Sequence, residues 1–352
     1  MRVLNYLELA DKLDRSGIST AATHQRKALG RTDADVQYVT TPWNGGDTKF
    51  AALNRLTGGS AFTRFDLAHC NMIGPGSAAV ARHARKRDIP LVLHAHVTSE
   101  DFAESFRGST YLANPLRKYL RWFYSKADLV LCPSEYTRET LSQYPIDAPI
   151  RAISNGVDAA SLEGHGEFRE EYRDRYDLDG MVVFAVGSVF ERKGVTTFCE
   201  LAAETDYDFA WFGEYDTGLL GSRTVRKWTK NPPENVTFTG WVEDKRGAFG
   251  AGDVFCFPTK VENQGLVVLE AMACGKAVVL RDIPVFREYY EDGEDCLLCD
   301  SKAEFVEALE RLEANPDLRE RLGKNARETA AEHSLDRVGE ELIDAYDQVT
   351  TH

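Results

Sequence analysis

From end to end the chain alternates short apolar runs with stretches of helical periodicity. Strand-length runs separated by helical stretches mean a parallel sheet covered by crossover helices. The fold class is therefore α/β. In the first half strands are expected at 2–6, 36–39, 67–70, 91–94, 129–132 and 150–153, with helices near 20–29, 78–87, 115–126 and 135–143. In the second half strands are expected at 182–186, 209–212, 236–238, 254–257, 277–280 and 296–298, with helices that include 196–203 and 266–273.

A chain of 352 residues is long for one core. The stretch SNGVDAASLEGHGEFREEYRDRYDLDG at 154–180 is polar, charged and without strand pattern, so it reads as the link between two domains. The expected division is 1–160, 161–330 and a C-terminal helix at 331–352 packing back toward the first domain. Two doubly wound domains facing a cleft is the economical architecture. Ligands in such folds sit at the carboxyl ends of the strands.

The net charge of −14 argues against a nucleic-acid partner, since a phosphate backbone needs a basic face. The same acidic balance, rich in arginine, would suit a salt-adapted source. Five of the seven cysteines (Cys70, Cys132, Cys199, Cys256 and Cys274) lie in apolar stretches and read as core. Cys296 and Cys299 form a lone C-x-x-C that lacks the second pair a zinc site would use, so no metal is expected there. No leader pattern opens the chain and no apolar run reaches the ~20 residues that span a bilayer, so the cytoplasm is the expected location.

Several motifs stand beside or beyond strand ends. GPGSAAVARHA, from Gly74, resembles a dinucleotide fingerprint, yet the next strand ends in His94 and His96 rather than in the acid that would hold a ribose. Asp33–x–Asp35 and Asp177–x–Asp179 match a metal-binding D-x-D but read as solvated turns, because neither sits at a strand end. In SGIST, Gly17 leaves backbone room at a helix N-terminus that could take an anion. HAHVTSEDF offers His94 and His96 as neutral donors to a substrate hydroxyl or carbonyl, or as a surface turn. In GSVFERKGV, Arg192 and Lys193 precede a helix and suit a phosphate, or a solvated loop.

VENQGLVVLEAMACGKAVV is the densest of these stretches. Gly265 stands at the start of a helix, after a strand that ends at Pro258, where unpaired N–H groups and the helix dipole favour a phosphate. Glu262 lies in the loop before it. Glu270 is the single charge between Leu266 and Lys276, and an acid on so apolar a helix needs a polar partner. Two carboxylates for hydroxyls around a phosphate site describe a nucleotide sugar.

The E-x7-E pair, the R-K-G turn after the first strand of the second domain and S-N-G-V-D at the link resemble retaining GT-B glycosyltransferases of family 4. SGISTAATHQRKAL, HAHVTSEDF, FERKG, WFGEYD, ENQGLVVLEAMA and RDIPVFREYYEDGEDCLL are similar to the branch that glucosylates diacylglycerol-type lipids. The resemblance covers nearly the whole chain and implies two Rossmann-like domains. It implies a retaining transferase moving a hexose, glucose above all, from a uridine diphosphate donor to a diacylglycerol- or archaeol-type lipid. No cofactor or metal is required on this reading.

Residue by residue, the resemblance implies that Glu262 contacts hydroxyls of the transferred sugar, Glu270 the ribose, and the backbone of Gly265 and Leu266, beside Asn263 and Gln264, the distal phosphate. Lys193 and Arg192 would neutralise the leaving diphosphate near Gly187, His96 would contact the sugar, Gly17 would lie close to the diphosphate and acceptor, and backbone at Trp241 and Val242 would hold the base. Ser188 stands where the family often has arginine, which leaves Arg192 to compensate. A glycan acceptor, or a non-catalytic nucleotide-sugar-binding module, would use the same donor motifs. The basic, aromatic helix at 114–126 fits peripheral contact with anionic lipid at the inner face of the cell membrane, or plain packing on its own sheet.

Overall fold

The computed structural model describes residues 1–13, 15–43, 62–99, 109–216, 218 and 222–351. Contacts divide the chain into two units: Met1–Ser99 with Ala113–Gly156 and Leu335–His352, and Val157–Ser334 with 109–112.

The first unit is built on a six-stranded sheet of β1 (Arg2–Tyr6), β2 (Gln37–Val39), β3 (Leu67–Cys70), β4 (Leu91–His94), β5 (Leu129–Cys132) and β6 (Ile150–Ala152). The strands lie in the order 2-1-3-4-5-6, every pair parallel. The second unit holds β7 (Val182–Val186), β8 (Asp208–Phe212), β9 (Val236–Gly240), β10 (Val254–Phe257), β11 (Ala277–Arg281) and β12 (Leu297–Cys299). Their order is 12-11-10-7-8-9, again all parallel. β3, β4, β5 and β10 are buried along their whole length, as continuous apolar runs require.

The strand orders locate the crevices. In the second sheet the chain winds outward from β7 through β8 and β9, and in the other direction from β10 through β11 and β12. Loops leaving β7 and β10 therefore part company, and the gap between them is the topological switch point. In the first sheet the same reversal falls between β1 and β3.

Three sequence expectations change. The helix expected to open at Pro115 runs Ser109–Tyr124 with the proline inside it. Burial of Leu120, Phe123 and Tyr124 outweighs the lost hydrogen bond. The 154–180 link, which lacks strand pattern as expected, carries the helix Arg169–Tyr176. Its charges are ties rather than solvation: Arg169 and Arg173 donate to Asp253 at 2.7 and 2.5 Å, and Tyr172 lies against Gly247, where a Cβ would stand 2.0 Å from the ring. The helix expected from residue 20 begins at Gly17, capped by the Ser16 hydroxyl, which accepts from the Ser19 amide. In the first unit the helix Leu335–Thr350 packs on Gly17–Leu29, with Gly339 so close that a Cβ there would lie 2.5 Å from the Ala28 carbonyl oxygen.

Candidate functional site

The second unit's switch point is closed by backbone contacts that only glycine allows. Gly187 directly follows β7 with φ of +116°, and its carbonyl accepts from Trp211 Nε1 at 2.7 Å. Gly194, at φ +85°, precedes the helix Val195–Ala202, and a Cβ there would stand 2.2 Å from the Pro258 carbonyl oxygen. This contact presses the 190–194 turn against the chain leaving β10. The Lys260 amide and the Thr259 hydroxyl donate to the Arg192 carbonyl at 2.7 and 3.1 Å.

The side chains follow from that joint. Arg192 Nη1 donates to the Val261 carbonyl at 3.2 Å and approaches Glu262 Oε1 at 3.5 Å. Glu262 Oε1 also receives the Thr259 hydroxyl at 3.5 Å. Lys193 Nζ stands over the glycine turn, 3.0 Å from where a Gly187 Cβ would be. Ser188 and Asn263 are half-buried, and Gln264, 2 % exposed, donates to the Tyr289 hydroxyl at 3.3 Å. Gly265 caps the helix Leu266–Ala273 in the left-handed region at φ +84°. The first amides of that helix thus face out of the carboxyl end of the sheet, where an anion is stabilised. Glu270 is buried on this helix and meets Lys245 Nζ at 2.7 Å. Trp241, 43 % exposed, and half-buried Val242 follow β9.

The fold therefore brings Gly187, Ser188, Arg192, Lys193, Glu262, Asn263, Gln264, Gly265 and Leu266 to the two loops of one switch point. Two cations, a carboxyl group and a helix N-terminus there can hold a phosphorylated, hydroxyl-bearing ligand.

In the first unit His94 ends β4 and stacks between His69 and His96, with centroids 5.5 and 4.1 Å apart. Asn5 Nδ2 donates to Gln25 Oε1 at 2.9 Å, so Gln25 Nε2 donates to His94 Nδ1 at 3.0 Å. His94 consequently carries its proton on Nε2, which has no hydrogen-bond partner among the described residues. His69 Nδ1 lies 2.8 Å from the Tyr346 hydroxyl, and His96 Nε2 lies 2.9 Å from Asn71 Oδ1. Burial pushes His69 and His96 down to about 3 and His94 well down, so the stack is neutral near pH 7. Neutral imidazoles and amides suit hydroxyls rather than anions. Gly17 is exposed, with open space where a Cβ would go, and the part of HAHVTSEDF from residue 100 on lies outside the described residues.

His69 has no exposed surface, and this sets a pH dependence. The unfolded chain takes up its proton near pH 6.5, the folded chain near 3. Its contribution to stability is complete above about 6.5 and is lost as the pH falls toward 3. Urea unfolding is expected to show about 2 kcal/mol less stability at pH 5 than at pH 7 from this group. His69→Gln should flatten the slope, and a wild type equally stable at both values would contradict the burial account.

The remaining motifs resolve locally. The amides of Gly76 and Ser77, in the dinucleotide-like turn, donate to the two oxygens of Glu8 at 2.8 and 3.0 Å. The chain's own carboxylate fills that helix N-terminus, and a Cβ on Gly74 would stand 2.4 Å from it. Asp179 accepts from the Gly180 amide in a turn, and Asp177 ends a helix in the left-handed region. All seven cysteines are buried, Cys296 and Cys299 included. On the basic helix Arg117 and Arg121 donate to the Gln143 and Pro145 carbonyls. Lys118, Arg121 and Trp122 share one exposed face, the tryptophan 51 % exposed. Among the described residues no helix is long and apolar enough to cross a membrane.

Sequence reasoning missed Glu8, Thr259, Lys245, Asn71 and the Tyr346–His69 pair. Each acts on a partner distant in the chain, and nothing in the local pattern marks it.

Two family models match the chain, Glycosyltransferase Family 4 over residues 7–161 and Glycosyl transferases group 1 over 168–329. The processive diacylglycerol alpha-glucosyltransferase of Acholeplasma laidlawii is 32% identical over 99% of this chain and 98% of that protein. The alpha-galactosylglucosyldiacylglycerol synthase of Streptococcus pneumoniae is 26% identical over 71% of this chain and 70% of that protein. Among solved structures, Anabaena Alr3699/HepE in complex with UDP-glucose superposes with a TM-score of 0.76 at 17% identity, covering 99% of this chain and 100% of that one.

Proposed function

The chain belongs to the family 4 glycosyltransferases of the GT-B fold, and from that premise we propose that it transfers glucose from UDP-glucose to the hydroxyl of a diacylglycerol-type lipid with retention at the anomeric carbon. The observation that carries this reading is the switch-point constellation of Lys193, Glu262 and the Gly265 helix N-terminus. The named substrates of the relatives and the donor bound in the Anabaena structure support the lipid acceptor and the uridine nucleotide.

Chemically, the bond from the anomeric carbon to the diphosphate oxygen breaks and negative charge gathers on the leaving group. Lys193 and the Gly265–Leu266 amides stabilise that charge without reorganising. The acceptor oxygen then forms its bond on the same face of the sugar, and its proton passes to the departing phosphate oxygen. Glu262, held between Arg192 and Thr259, accepts from sugar hydroxyls and forms no covalent bond. Glu270 holds the ribose, backbone near Trp241 and Val242 the base, and neutral His96 and Gly17 in the first unit serve the transferred sugar and the acceptor. The enzyme works peripherally on the inner face of the membrane, where Trp122 beside Lys118 and Arg121 suits an anionic lipid surface.

The test supplies UDP-glucose and 1,2-diacylglycerol in anionic vesicles and reads the product by NMR. An α-glucosyl lipid is expected. A β-linked product would refute retention, and transfer to a soluble glycan alone would refute the lipid acceptor.

A further inference from the structure

Lys245 is the first residue of the helix Lys245–Ala251, directly after its Asp244 cap. A cation there opposes the helix dipole, which favours acids in the first turn. Helix stability is therefore no reason for the residue. Its partner is Glu270, on a different helix, at 2.7 Å from Nζ to Oε1. The carboxylate is 9% exposed and the lysine 36%, so the pair joins a desolvated acid to a half-solvated cation. Around the acid, Val268, Leu269, Ala271 and Met272 have no exposed surface. An apolar residue at 270 would pack at least as well, because an ion pair so placed costs desolvation on both sides. The pair is better explained by a ligand than by the core.

Among the described residues Lys245 is the sole hydrogen-bond partner of the Glu270 carboxylate. Oε1 is thus engaged by Lys245, and Oε2 is left as an acceptor. We propose that Lys245 is a positioning residue for the ribose subsite, and that the Lys245–Glu270 pair sets how strongly the enzyme distinguishes a ribonucleotide donor from its deoxy counterpart. The inference rests on the assignment of Glu270 to the ribose. Lys245 does not touch the reacting atoms, so its removal acts on donor recognition and leaves the chemical step alone. Without it the acid is buried unpaired and is no longer held as the acceptor that the ribose needs.

The experiment compares UDP-glucose with its 2′-deoxy and 3′-deoxy analogues in wild type, Lys245→Met, Lys245→Arg and Glu270→Gln, with melting temperatures recorded for each. Wild type should show a KM on the order of tenfold higher for at least one deoxy donor, the scale of a hydrogen bond to a charged group. Lys245→Met should raise KM for UDP-glucose on the order of tenfold, keep kcat within about twofold, and leave KM for that deoxy donor nearly unchanged, so that discrimination collapses. Lys245→Arg should restore most of it. A wild type that discriminates beside a Lys245→Met that discriminates equally well overturns the role of Lys245 alone. A wild type and a Glu270→Gln variant that both use all three donors alike overturn the ribose assignment, and the proposal with it.

Discussion

Lys193→Ala is expected to lower kcat about 10²- to 10³-fold, the scale of losing one preorganised group aimed at developing charge. The ammonium stands over Gly187, at the carboxyl end of β7 and beside the switch point. On the proposed mechanism the charge that Lys193 meets grows as the diphosphate leaves, so the loss should fall on kcat with a smaller change in KM for the donor. Neighbouring Arg192 is a poor substitute, because its Nη1 is directed to Val261 and Glu262. Ser188 supplies no cation either. Lys193→Arg should recover part of the rate, since the charge is kept but a planar fork replaces a point charge. Steady-state kinetics checks this, and a kcat within tenfold of wild type would remove Lys193 from the leaving-group site.

Gly194→Ala is expected to be among the most damaging small substitutions in the second unit. At φ +85° an L-residue costs about 1–2 kcal/mol, and the added Cβ would lie 2.2 Å from the Pro258 carbonyl oxygen. That neighbour is backbone and cannot swing aside. A total of about 2–4 kcal/mol is expected, or a fall in melting temperature on the order of 10 °C. Gly180→Ala is the control: its φ is +57°, yet nothing lies within 4 Å of the new carbon, so the backbone term alone applies. Equal melting temperatures for the two variants would mean that the 190–194 turn yields, and that the joint holding Arg192 and Lys193 is soft.

The residues of the second unit's candidate site were legible in the sequence because its signals are local. A glycine at the start of an apolar helix, with one acid before it and one within, marks a candidate anion site in a single stretch. The R-K-G turn marks two cations after β7. The first unit was harder to read. His94 and His96 mark a strand end, but the tautomer of His94 depends on Gln25 and Asn5, far away in the chain. The dinucleotide-like turn at Gly74 reads as an open helix end, and Glu8 fills it. The basic, aromatic helix at 114–126 reads either as a lipid-contacting face or as plain packing, and only the structure shows which residues do which: Leu120, Phe123 and Tyr124 are buried and Trp122 is left outside.

The sequence alone determined the α/β class and the alternation of strands with helices. Those are written in short-range pattern, in the length and period of the apolar runs. Only the tertiary structure decided that β7 lies beside β10 and β1 beside β3, and hence which loops meet around a crevice. It also decided the partners of the buried polar groups: Lys245 for Glu270, Arg192 for Glu262, and Tyr346 for His69. A desolvated charge or imidazole demands a partner wherever it is buried, but which residue answers is set by sheet order and chain closure over tens to hundreds of residues, and no local period encodes that.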